Sequence, residues 1–110
     1  MLLDLSVNQI AEISSHINKL NHLQYLNLAR NRLKSLPPNL KLNSLKKLNL
    51  EGNSFTTTDG LKSISNLESL MILNLGYNQI SDIDGLNSSS LQELIAESCR
   101  KSFDSSKNIL

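Results

Sequence analysis

With 110 residues the chain has room for one domain, and 11 Lys and Arg against 10 Asp and Glu leave a net charge of +1, which suits neither a nucleic-acid binder nor an acidic tail. Trp is absent and Tyr and Phe number two each, so aliphatic side chains, leucine above all, must carry the packing. A single cysteine excludes an intramolecular disulfide, and with His16 and His22 it makes no zinc-ligand spacing. No stretch nears the roughly 18 apolar residues of a membrane span, and the start lacks a basic n-region. We therefore expect no metal, no cofactor, no nucleic acid and no membrane as partner, and a reducing, cytoplasmic setting.

The chain opens on Leu3 and Leu5 with Asp4 between them, an alternation that predicts a short strand, followed by Asn8 and Ile10. Ile10, Ile13, Ile17 and Leu20 follow at spacings of three and four, so this segment returns as a helical or 3₁₀ leg with one apolar stripe. Leu23, Leu26, Leu28, Asn31 and Leu33 begin an intact copy of the same pattern. Its return meets Pro37-Pro38, which no regular helix crosses, and is expected to be extended or loosely turned. Leu45, Leu48, Leu50, Asn53 and Phe55 form the next copy, whose return carries Leu61, Ile64 and Leu67 on a slightly longer helix with Thr58 or Asp59 as N-cap. Leu70, Leu73, Leu75, Asn78 and Ile80 form a third intact copy, and Leu91, Leu94, Ala96 and Cys99 a degraded last one. The steps from Leu23 to Leu45, Leu70 and Leu91 are 22, 25 and 21 residues.

A coil repeated at this period buries one face against its neighbours, so in each strand the leucines turn inward, the intervening residues face solvent, and stacked copies pair in parallel. The asparagine closing each strand, at Asn8, Asn31, Asn53 and Asn78 with Cys99 in the equivalent position, has an amide that both donates to and accepts from turn backbone.

The pattern Leu-x-x-Leu-x-Leu-x-x-Asn-x-(Leu/Ile/Phe) over residues 2 to 99 resembles the leucine-rich repeat family. The resemblance implies an α/β fold: a right-handed solenoid with a short parallel sheet on its concave face and 3₁₀ or helical turns and loops on the convex side. Residues 1–99 form the array and 100–110 a polar tail or improvised cap. Leu33 to Pro38 is similar to the common Leu-Pro repeat. Asn78 to Leu86 is similar to the repeats of protein-phosphatase regulatory subunits and of ciliary and centrosomal proteins, which adds centrosomal, ciliary or nuclear sites to the cytoplasmic expectation.

The resemblance places partner binding on the concave face, whose columns can be read in advance. One runs Leu2, Tyr25, Lys47, Ile72, Glu93; the next Asp4, Asn27, Asn49, Asn74, Ile95; then Ser6, Ala29, Glu51, Gly76, Glu97; then Val7, Arg30, Gly52, Tyr77, Ser98. Tyr25, Arg30, Ile72 and Tyr77 are the large anchor-type side chains there, and they are the expected partner-binding residues; the competing reading has the two tyrosines and Ile72 merely covering their neighbours. The asparagine column reads either as structural habit or as a ladder for an extended backbone. Arg30, Arg32, Lys46 and Lys47 read as a solvated face or as a lure for an acidic partner. Cys99 has no histidine near it in sequence to activate it, and Asp82 and Asp84 belong to a turn, so no enzymatic activity is expected. The sequon at Asn87 reads as chance.

Seven bases between Lys19 and Lys47 (Lys19, Arg30, Arg32, Lys34, Lys41, Lys46, Lys47) face seven acids from Glu51 to Glu97, with Lys62 the lone base among them, and predict an electrical dipole along the molecule. Both ends lack a clear cap, so the expectation is a fragment or shortened form of a longer repeat protein, with self-association through the N-terminal edge as the other way to cover it. The function expected is a non-catalytic scaffold for another protein. The alternative is a regulatory subunit that targets an enzyme such as a protein phosphatase.

Overall fold

The computed structural model describes residues 1–97. Position Cys99 of the last copy and the 100–110 tail lie outside the described residues. Among the described residues five strands of three residues each, β1 (Leu2–Asp4), β2 (Tyr25–Asn27), β3 (Lys47–Asn49), β4 (Ile72–Asn74) and β5 (Glu93–Ile95), form one all-parallel sheet in chain order. Their register places Leu3, Leu26, Leu48, Leu73 and Leu94 in one row. Parallel neighbours need a crossover, and here each connection turns away at an asparagine, crosses behind the sheet and returns one rung further along.

The strands are short because the chain turns immediately after them. Asp4, Asn27, Asn49 and Asn74 close β1 to β4, and the Oδ1 of each accepts a hydrogen bond from the backbone N–H two residues on, at 2.9–3.0 Å. Such side-chain turns compete with continued extension. The ladder nevertheless resumes on alternate residues: Leu28, Leu50 and Leu75 donate to Asn49, Asn74 and Ile95, and Arg30, Gly52 and Tyr77 donate to Glu51, Gly76 and Glu97.

The return legs differ as their residues dictate. Ser15–Lys19 is a 3₁₀ segment capped by Ser14, whose hydroxyl accepts from the His16 N–H. Across Pro37-Pro38 the leg is irregular, with Leu36, Pro37, Leu40 and Leu42 all buried. The longest leg, Thr58–Asn66, is 3₁₀ with a break in regularity at Leu61, and Leu61, Ile64 and Leu67 are buried. Its cap is Thr57, not Thr58 or Asp59: Thr57 holds the extended backbone that a cap requires and accepts from the Asp59 N–H at 3.3 Å, while Thr58 already lies in the first turn. Gly60 lets this leg approach its neighbour, because a Cβ there would collide with the Lys34 carbonyl and stand 2.9 Å from the Ser35 Cα. The Gly60 carbonyl then accepts from the Leu36 N–H at 2.8 Å.

Between sheet and return legs lies a single aliphatic core running from Leu23 to Ile80, with the Phe55 ring fully enclosed in it. Leu3, Leu5, Ile10, Ile13 and Ile17 on one side, and Leu86, Leu91 and Leu94 on the other, are only half-buried against it. Among the described residues no helix is long and apolar enough to cross a membrane.

Candidate partner-binding face

The turns after β2, β3 and β4 are each pinned to the coil before them. The amide of Asn53 donates to the carbonyls of Leu28 and Leu50, both at 3.0 Å, and its Oδ1 accepts from the Leu33 N–H at 3.0 Å. Asn31 repeats this with Leu5, Leu28 and Ile10, and Asn78 with Leu50, Leu75 and Phe55. Asn31, Asn53 and Asn78 are buried, whereas Asn8 is exposed and bonds within its own turn, to Leu5 and Ser6. The asparagines thereby hold the residues just ahead of them at fixed spacing, one strand separation of about 4.8 Å per rung.

Those residues are Val7, Arg30, Gly52 and Tyr77, and all four have positive φ, between 55° and 70°. A side chain in this left-handed region is uncommon and carries strain of about 1–2 kcal/mol. The shared conformation aims the column in one direction. Arg30 and Tyr77 stand two rungs apart with the bare Gly52 between them; Tyr77 is 56% exposed and the Arg30 side chain 69%. The result is a notch of about 360 Å³ walled by Arg30 and Tyr77, with Gly52 and Glu51 at its base.

The neighbouring column repeats the device one rung on. Gly76 lies between Glu51 and Glu97, and a second cavity of about 160 Å³ is lined by Glu51, Asn74, Gly76, Tyr77, Ile95 and Glu97. Glu51 is loosely held. One of its oxygens is 3.9 Å from the Arg30 guanidinium and the other 3.5 Å from the Asn74 amide, well outside the 2.7–2.9 Å or so of a firm charge-assisted bond. An ion pair this long and this exposed contributes well under about 1 kcal/mol.

The four expected anchors divide into two pairs. Arg30 and Tyr77 flank the notch at the turn edge of the sheet, whereas Tyr25 and Ile72 lie in the first column with Lys47 between them. Tyr25 is half-buried and its ring carries the Lys47 ammonium 4.8 Å from its centroid, a cation–π contact that occupies one face. The asparagine column is committed to the turns through its Oδ1 atoms. The basic stretch is split, with Lys46 and Lys47 at the start of β3 and Arg30 and Arg32 beyond the end of β2. Asp82 and Asp84 sit in an exposed turn where Asp82 accepts from the Asp84 N–H at 2.8 Å. His16 and His22 are exposed. Asp4, exposed, is held below the usual carboxylate range by the hydroxyl and backbone N–H of Ser6.

Gly52, Glu51, Gly76 and Glu97 are functional candidates that the sequence pattern left aside. The one signal for them was Gly52 itself: a glycine at that column in a single copy marks the position as one that demands positive φ.

A family model described as Leucine Rich repeats (2 copies) matches residues 21–63, which span β2 and β3 with their turns. Comparison with curated proteins returns no match. The strand register and the asparagine bonding of the matched segment continue through β4 outside it.

Proposed function

The chain is a leucine-rich repeat protein, and from that premise we propose that it is a non-catalytic scaffold that binds another protein along the turn edge of its sheet face. Repeats of this kind generally serve protein–protein interaction, because stacked coils offer a continuous surface of independently variable columns. The observation that carries the reading is the left-handed column: two large, exposed side chains, Arg30 and Tyr77, stand on either side of a gap that Gly52 leaves open. Strained backbone and exposed Tyr and Arg together fit a surface kept for contact, since Tyr and Arg dominate interface energetics and such conformations persist only when the surroundings over-determine them. Tyr25 and Ile72 form the flank of that surface, where part of their area is already used within the fold.

Amide hydrogen exchange of the chain in complex with a partner captured on it tests the reading. Slowed exchange confined to the amides of residues 28–30, 51–53 and 75–77 is the expected footprint. Protection restricted to the return legs 13–19 and 58–66 would move the binding surface to the opposite side.

A further inference from the structure

We infer that the cavity over Gly76 is a receptor for an arginine side chain of the partner, and this rests on the sheet-edge reading above. Two acidic residues border it from opposite rungs. Glu51, from the β3 coil, reaches across to the Asn74 amide of β4, and the Cγ of Glu97, from the β5 coil, lies 3.6 Å from where a Gly76 Cβ would stand. Among the described residues the Glu51 carboxylate makes no short bond, its contacts being 3.5 Å and 3.9 Å long, and a second acidic residue at the rim favours a cation between the two. Its carboxylate is in place and largely uncommitted.

The other walls suit the same occupant. Gly76 gives a floor without a side chain, and Tyr77, more than half exposed, borders the cavity and supplies a ring face for a planar cation. The volume, about 160 Å³, leaves room for one small planar group. A guanidinium can fork to one carboxylate, meet the second and stack on the ring, which a compact ammonium cannot do at once. Charge along the chain agrees, since from Glu51 to Glu97 seven acids stand against Lys62 alone. Arg30, on the far side of Glu51, keeps the cation on the Gly76 side. A partner approaching as an extended segment would thus place its arginine at β4 and its neutral or acidic residues toward β2.

Selection from a random peptide library on the full 110-residue chain, with every recovered peptide then assayed against Tyr77→Ala, tests this. Recovered peptides should carry an arginine whose replacement by glutamine weakens binding at least about tenfold, and Glu51→Gln or Glu97→Gln in the chain should cost a similar factor without changing its melting temperature. Peptides that lack basic residues, or whose affinity both glutamine variants leave unchanged, would overturn the inference. If such peptides still fail to bind Tyr77→Ala, the sheet-edge surface stands and only its arginine receptor is lost. Peptides that bind Tyr77→Ala and the unaltered chain alike would remove the surface and the receptor together.

Discussion

Asn53 shows at the scale of one residue how this fold satisfies its turns. Its amide takes up two buried carbonyls and its oxygen one buried N–H, and two of those three groups, on Leu28 and Leu33, belong to the preceding coil. Asn53→Ala leaves them without partners and should destabilise the chain by about 1–3 kcal/mol. Asn8→Ala, at an exposed turn bonded only to itself among the described residues, should cost less than about 1 kcal/mol. Urea unfolding of the two variants checks the contrast. Asp4 gives a pH dependence of known sign. Its carboxyl is held below the ordinary aspartate value in the folded state by Ser6, so its contribution is present above that value and fades as pH falls through the lower, folded one. Asp4→Asn keeps the turn acceptor and removes the charge, so acid should lower the melting temperature of the unaltered chain more than that of Asp4→Asn over about pH 5 to 3. A residue with three polar contacts at a strand end is easy to read from sequence, since few side chains can both donate and accept there. That its partners lie in the preceding coil emerges only from the stacking.

Among the elements, the strands were the most legible and the turns after them the least. Leucine alternation states which residues face inward, and equal steps between copies state which residues share a column; both agree with the observed register. The left-handed column escaped, because Val7, Arg30 and Tyr77 have no intrinsic preference for positive φ and adopt it in the turn that each following asparagine closes. The candidate site escaped for the same reason: sequence alone gave Arg30 and Tyr77 as large side chains, without the bare rung that turns them into walls. The return legs were legible where proline or apolar spacing constrained them. The cap at Thr57 was missed by one residue, since three consecutive threonines offer three equivalent hydroxyls and only backbone conformation decides between them. Gly60 tests the packing of these legs. Gly60→Ala drives a Cβ into the Lys34 carbonyl, and the backbone shift required should cost about 1–3 kcal/mol and be visible as a lowered urea midpoint.

Across the whole molecule, the order of rungs equals the order of the chain, so the sequence is written directly along the stacking axis. The core is closed from Leu23 to Ile80 and thins toward β1 and β5, where the inward leucines are half-exposed. The charge follows the same axis: bases dominate from Lys19 to Lys47, acids from Glu51 to Glu97, and the two meet where Arg30 approaches Glu51. That meeting point is also where Gly52 opens the notch and Tyr77 stands clear of the sheet. The coincidence of a charge boundary, two bare rungs and an exposed tyrosine sets this edge apart from the return side of the molecule. The affinity of a captured partner for Tyr77→Ala, set beside that for Lys62→Ala at an exposed position on a return leg, tests the assignment most directly. A loss of at least about tenfold, roughly 1.4 kcal/mol, for Tyr77→Ala with no change for Lys62→Ala is the predicted result. Equal binding by Tyr77→Ala and the unaltered chain, with the loss falling on Lys62→Ala instead, would contradict it.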